Sequence, residues 1–407
     1  MGPGLIAGSA DDDPSGIGTY AIAGATLGYA TLWTALFTIP MMIAIQLTCA
    51  KIAMVTRLGL AGAIRRHYSG WVLYPTMLGL LVANTINAGA DLGAIGAGVE
   101  LVMPIPSAAV VVLAGVGLLL LEVVGSYATV EKTFKWLTLT LFAYLGAAVF
   151  AHPDWSAALI DTVRPTLSVD KQYLATIVAL FGTVMSPYLF VWQAAEEVEE
   201  MQADTKRRRM SAQAITRRLH DRTVDVATGM GFSNLITYFV ILATAATLHQ
   251  AGQTDVTSAA DAARALEPIA GSAAGLLFAA GLIGAGALAV PVLTASAAYA
   301  IAGGERWRVG LDQPVGKARG FYGVILVATI LAVGINFIGI SPIQALFISA
   351  VINGVLAPPL MVLLMLIANR RSAMGDHTHG VILNLVGWAT IVVMSAAALG
   401  LLVTGAT

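Results

Sequence analysis

The chain has 407 residues, of which 57% are hydrophobic and 11% charged, with a formal net charge of −1. Soluble domains carry about 25% charged residues, so the composition excludes a water-soluble globular protein and leaves no polar domain of useful size. The near-neutral charge gives no electrostatic reason for nucleic acid as a partner, and the single Cys49 excludes an internal disulfide.

A membrane-crossing helix needs about 20 apolar residues. In chain order the sequence offers eleven such stretches, at 4–30, 31–55, 71–101, 106–125, 134–151, 172–196, 225–248, 268–303, 319–338, 342–368 and 381–404. Most are apolar all round, which predicts an all-α integral membrane protein rather than a barrel. The first ten residues lack Lys and Arg and run into acid, so they do not read as a cleaved signal peptide. Basic residues test the count. The connections after spans 2, 4, 6, 8 and 10 hold 19 of the 22 Lys and Arg, and the opposite side holds Arg164, Lys171 and Arg264. By the positive-inside rule the first set is cytoplasmic, which predicts a cell-membrane protein with its N-terminus inside and its C-terminus outside.

Two spans are interrupted at matching places. Span 1 contains Asp11, Asp12, Asp13 and Pro14 followed by Ser15, Gly16 and Gly18; span 6 contains Gly182, Thr183, Met185, Ser186 and Pro187. Proline removes a donor and clashes with the preceding turn, and it drives the residue before it out of the α region. Spans 1 and 6 are five helices apart, so the second group of five enters from the opposite side. Broken helices in corresponding places of two inverted halves point to a transport site near the bilayer midplane.

A carboxylate at that depth costs at least ~2.5–3.5 kcal/mol. No Lys or Arg falls within the core of a span, so a transported cation is the natural compensation for Asp13. Unwound carbonyls from Asp13 to Gly16 and from Gly182 to Met185, with the hydroxyls of Ser15, Thr183 and Ser186, are the expected further oxygen donors.

The sequence "DPSG" followed by "GTY", the "TVMSPY" break, "ADLGAIGAG" in span 3 and "LAPPLMVLLMLIANRRSAMG" at the end of span 10 resemble the NRAMP divalent-metal transporters. The resemblance implies a LeuT-like 5+5 inverted repeat with helices 1 and 6 unwound: one transporter domain over 1–407, its first repeat at 4–151, its second at 172–368 and an extra helix at 381–404. It implies a carrier rather than an enzyme, working as a monomer. The family motif Asp-Pro-Gly-Asn places a metal-binding Asn where this chain has Gly16. The family's Met-Pro-His in helix 6 becomes Ser186, Pro187 and Tyr188, and the carbonyl-donating Ala becomes Thr183. In span 3 the family's Asp-x-x-Glu pair, linked to proton movement, retains Asp91 but has Ala94 at the Glu position.

Losing the thioether favours hard cations, because sulfur suits softer metals and carboxylate, carbonyl and water suit Mg²⁺, Ca²⁺ and Mn²⁺, and losing two side-chain ligands leaves space. Mg²⁺ keeps several waters and uses one or two carboxylates. The pattern is similar to the NRAMP-related magnesium transporter branch. It implies import of Mg²⁺, with Mn²⁺ also suitable, by alternating access and without proton coupling; no resident cofactor is expected. All six histidines lie in loops or at span ends, which agrees with the absence of a relay. The alternatives are a proton-coupled Mn²⁺/Fe²⁺ symporter, a sodium-coupled amino-acid carrier, and an intramembrane aspartyl protease using Asp13 and Asp91.

Asp11, Asp12, Asp91, Tyr188, Asn234, Asn353, Glu196 and Glu200 are expected around the site or its vestibule. Glu196 and Glu200 are one turn apart and either line the inner vestibule or face the basic run Lys206–Arg209. Asn84, Asn87, Asn234 and Asn353 read first as interhelical hydrogen-bonding groups. Glu122 is expected to snorkel or to pair with Lys132 or Lys135, and the basic stretch 203–224 to lie on anionic lipid as an amphipathic helix.

Overall fold

The computed structural model describes residues 8, 11–124, 142–203 and 212–406. Every long element among them is a helix: α1 (Pro14–Leu27), α2 (Trp33–Thr56), α3 (Leu60–His67), α4 (Gly70–Val102), α5 (Ser107–Val124), α6 (Ala143–Phe150), α7 (Trp155–Val163), α8 (Lys171–Val184), α9 (Pro187–Ala203), α10 (Ala212–Thr244), α11 (Ala274–Glu305), α12 (Arg319–Ile335), α13 (Pro342–Ala368) and α14 (Val381–Ala406). Among the described residues eight helical stretches are long and apolar enough to cross a membrane, and Arg319–Ile335 is a shorter apolar helix. The first span is split, and the first eight residues of the fifth, 134–141, lie outside the described residues, as do Lys132 and Lys135.

The ends of these helices follow local chemistry. Asp13, Asp170 and Ser341 cap α1, α8 and α13 with side-chain oxygens that accept backbone N–H groups, using donors that no helix can satisfy internally. Pro14 and Pro342 occupy first-turn positions, where the missing N–H costs nothing. The eighth span begins at Ala274 rather than 268, because Gly271 at φ 50 ends a separate short turn over Glu267–Ala270. The ninth stops at Ile335, where the Asn336 amide leaves the helix direction to donate to Gly89 O at 2.9 Å.

The packing pairs elements that the two halves relate to each other. The third long helix, α4, lies along α11, and α2 lies along α10. α8 packs on α13 so tightly that a methyl group at Gly182 would stand 2.0 Å from Ala350 O and 2.4 Å from Gly354 N. The interrupted first and sixth spans are enclosed by this frame; α1 touches α10, α13, α8 and α4.

Both interruptions are shorter than the sequence suggests. Asp11 is helical, Asp12 and Asp13 are not, and α1 resumes at Pro14. In the sixth span only Met185 and Ser186 leave the helix. Gly182 and Thr183, expected in an unwound stretch, remain in the last turn of α8. The glycine at 182 serves the close crossing with Gly354 rather than unwinding. Ser15 and Gly16 likewise belong to the first turn of α1. The stretch expected as a surface helix at 203–224 is, from Ala212 onward, the beginning of α10.

Candidate metal site

Asp13 lies at the N-terminus of α1, where the helix dipole favours negative charge. Its two oxygens are held unequally. Oδ1 accepts from Ser15 Oγ at 2.6 Å and Gly16 N–H at 2.8 Å. Oδ2 accepts from Asn87 Nδ2 at 3.1 Å on α4 and from Tyr188 Oη at 3.3 Å on α9. The short pair fixes the carboxylate, and the long pair leaves Oδ2 as the atom that a cation can engage. Asp13 is buried and has no Lys, Arg or His partner among the described residues.

The other groups take distinct positions around it. Asp91 is buried on α4, within electrostatic reach of Asp13 and beside the Ser15 backbone, and neither of its oxygens has a hydrogen-bond partner among the described residues. Tyr188 reaches Asp13 directly. Ser186 turns its hydroxyl back onto Gly182 O and Thr183 O, at 2.7 Å each, and so satisfies the carbonyl end of α8. Thr183 donates to Leu180 O. Gly16 offers its N–H to Asp13; a Cβ there would meet Tyr20 Oη at 3.1 Å. Asp11 and Asp12 turn toward α10, where both meet Ser233.

Asn234 stands apart, bonded to Thr38, Met42 and Met230 O between α10 and α2. Asn353 is buried on α13 with neither amide atom paired among the described residues. Glu196 is half-buried on α9, within electrostatic reach of Tyr299. Glu200 pairs with Arg222 of α10, which also holds Glu197 at 2.7 Å and Asp225 at 3.4 Å. The run Lys206–Arg209 lies outside the described residues, and α10 starts early enough to bury Arg222 against α9. Glu122 does not snorkel. It is buried and accepts from Thr294 Oγ1 of α11 at 2.8 Å.

Asn87 is the site residue that sequence reasoning passed over. It read as ordinary interhelical bonding, yet its Nδ2 meets Asp13 while its Oδ1 accepts from Ser349 Oγ of α13 at 2.9 Å. Its four-residue spacing from Asp91 on one helical face was the available signal.

Two interrupted helices meeting around a buried carboxylate, with no Lys, Arg or His partner among the described residues, inside an inverted-repeat bundle define a LeuT-like membrane transporter. A crystal structure of the Eremococcus coleocola manganese transporter, in complex with an aromatic bis-isothiourea substituted compound, superposes with a TM-score of 0.75 at 18% identity, covering 98% of this chain and 85% of that one. The inward-facing conformation of Mhp1 follows at a TM-score of 0.56 and 15% identity, covering 99% and 89%. The sequence description of the natural resistance-associated macrophage protein-like (Nramp) family matches residues 4–404, and the chain belongs to that family. Its relatives include divalent metal cation transporters MntH, from Burkholderia ambifaria at 28% identity over 97% of this chain and 86% of that protein, and from Deinococcus radiodurans at 27% over 97% and 87%.

Proposed function

We propose that this chain is a divalent metal cation transporter that admits a hard, partly hydrated dication, Mg²⁺ first and Mn²⁺ second, at Asp13. The observation that carries this reading is the unequal seating of the Asp13 carboxylate, with Oδ1 locked and Oδ2 loosely held. The names of the MntH relatives support the dication class. The hard preference is supported by the oxygen groups at the places where the family carries Met and His: Ser186, and Tyr188, whose hydroxyl reaches Asp13. A flip of the Asn87 amide turns an oxygen toward the same place. In this reading Ser15, Gly16, Gly182, Thr183 and Ser186 supply further oxygen donors to the ion, the last three from the carbonyl end of α8.

Transport in this reading is uncoupled from protons, with Mg²⁺ entering down its electrochemical gradient. A membrane potential contributes ~2.3 kcal/mol per charge per 100 mV. In the same reading the N-terminus is cytoplasmic and the C-terminus extracytoplasmic, the working unit is a monomer in the cell membrane, and the repeats run over 4–151 and 172–368. The proton-coupled alternative draws on Asp91, a buried carboxyl without a hydrogen-bond partner among the described residues. Proteoliposomes loaded with a pH dye distinguish the two. Uptake of Mg²⁺, Mn²⁺ and Ca²⁺, measured in parallel, should favour Mg²⁺ and leave the lumen pH unchanged. Metal-dependent acidification beyond passive leak refutes uncoupled transport, and absence of Mg²⁺ uptake refutes the hard-ion reading.

A further inference from the structure

Asp11 and Asp12 lie outside the hydrogen-bond shell of Asp13. They face α10. A Cβ on Gly8 would stand 2.5 Å from the carbonyl carbon and oxygen of Gly229, so Gly8 lies against the α10 backbone. Ser233 follows Gly229 by one helical turn. Its hydroxyl is within hydrogen-bonding distance of Asp11 Oδ2 and 3.1 Å from Asp12 Oδ1. All three side chains are buried.

Counting protons exposes the deficit. A serine hydroxyl donates one hydrogen, so it satisfies one of the two carboxylates. The other contact sets oxygen against oxygen without a proton between them. Asp11 Oδ1 has no partner among the described residues, and neither carboxylate pairs with a Lys, Arg or His there. Two buried carboxylates converging on one hydroxyl need positive charge that the described protein groups do not supply.

A separate group points into the same place. Tyr20 is completely buried, and its phenol lies within electrostatic reach of Asp11 and Asp12. Gly16 makes room for it, since the ring stands where a side chain at 16 would begin. The Tyr20 hydroxyl makes no hydrogen bond of normal geometry among the described residues, although it lies beside Thr183 and Thr237. Those two threonines spend their own protons on Leu180 O and Ser233 O. The surroundings are thus hydroxyl and carboxylate oxygen, the donor set of a hard cation.

We infer that Asp11, Asp12, Ser233 and Tyr20 form a second cation position, on the α10 side of the Asp13 site, that takes the same class of hard dication. The inference rests on the proposed transport function. Asp13 directs its carboxylate to α4 and α9, and this pair directs theirs to α10, so the two positions use different oxygens.

Equilibrium dialysis of the purified full-length protein in detergent, with Mn²⁺ as the hard-dication probe and metal analysis as the readout, tests the position. Wild type should bind two Mn²⁺ per chain. The Asp11→Asn/Asp12→Asn double variant should bind one, and Asp13→Asn should bind one. Ser233→Ala and Tyr20→Phe, which preserve shape, should keep two with the second weakened roughly fivefold, the worth of one neutral oxygen contact. A single Mn²⁺ in wild type that disappears with Asp13→Asn overturns the inference and leaves the transport reading standing. So does a single ion that the double variant retains. No binding in wild type overturns both.

Discussion

Tyr188 Oη lies 3.3 Å from Asp13 Oδ2, joining the two interrupted helices across 175 residues of chain. The bond is long and shares its acceptor with Asn87 Nδ2. A cation approaching Oδ2 therefore displaces weak contacts, while the short bonds to Oδ1 keep the carboxylate in place.

Asp13→Asn removes the charge and turns an acceptor into a donor facing Asn87 and Tyr188. Losing one partner of a buried charge pair costs ~2–5 kcal/mol, about 30-fold or more in affinity. Mg²⁺ uptake into proteoliposomes should fall to background. Tyr188→Phe removes one long contact and should change the half-saturating Mg²⁺ concentration by less than about tenfold. Unchanged uptake in Asp13→Asn refutes its role.

Gly16 and Tyr20 make a second testable pair. An Asn at 16 puts its Cβ 3.1 Å from Tyr20 Oη and 3.2 Å from the ring carbons, so the ring must move. Gly16→Asn alone should lower uptake of every dication. Gly16→Asn/Tyr20→Ala should regain uptake and shift preference toward Mn²⁺, more so with Ser186→Met, because an added protein ligand replaces a water that Mg²⁺ gives up reluctantly and a thioether suits softer metals than Mg²⁺. Competition of Mn²⁺ against Mg²⁺ in proteoliposomes measures the shift. Equal Mn²⁺ preference in all three variants refutes the argument.

Much of the bundle was legible in the sequence because apolar length and proline are local signals. Spans at 71–101, 106–125 and 342–368 match α4, α5 and α13 within a residue or two, and Asp13 was marked by its place before Pro14. What was hidden depends on distant partners. The extent of each break could not be read from glycine content, since Gly182 answers to Gly354 on another helix. Arg222 read as a loop charge until α9 and α10 were seen side by side. Asn87 became a site residue only once α4 was set against α1 and α13.

The Gly182 crossing predicts a large stability effect far from any ligand chemistry. A methyl group there collides with backbone atoms, Ala350 O at 2.0 Å and Gly354 N at 2.4 Å, which cannot swing aside as a side-chain tip can. Overpacking costs ~1–3 kcal/mol or more. Gly182→Ala should lower the thermal midpoint in detergent by several degrees or prevent folding. Gly334→Ala, where a Cβ meets nothing within 4 Å, should leave it nearly unchanged. Equal midpoints for the two variants refute the close crossing.

His379 gives the fold a pH dependence with a definite sign. Its ring is buried just before α14, with both nitrogens unpaired among the described residues. Burial, and next to it the Lys51 ammonium, hold its pKa down at about 4; Lys51 reaches this loop through Thr378 O at 3.0 Å. An unfolded histidine titrates near 6.5. Between the two values the unfolded chain binds the extra proton, so stability rises with pH across this window. It is complete above about 6.5 and is lost as pH falls toward 4. His67, held down by burial and by Arg370 and Arg66, acts in the same direction. The thermal midpoint in detergent should be level from pH 8 to 7 and fall from pH 6 to 5. His379→Gln should fall less steeply, keeping the His67 share. Parallel slopes for wild type and His379→Gln would show that the buried ring is not the group that titrates.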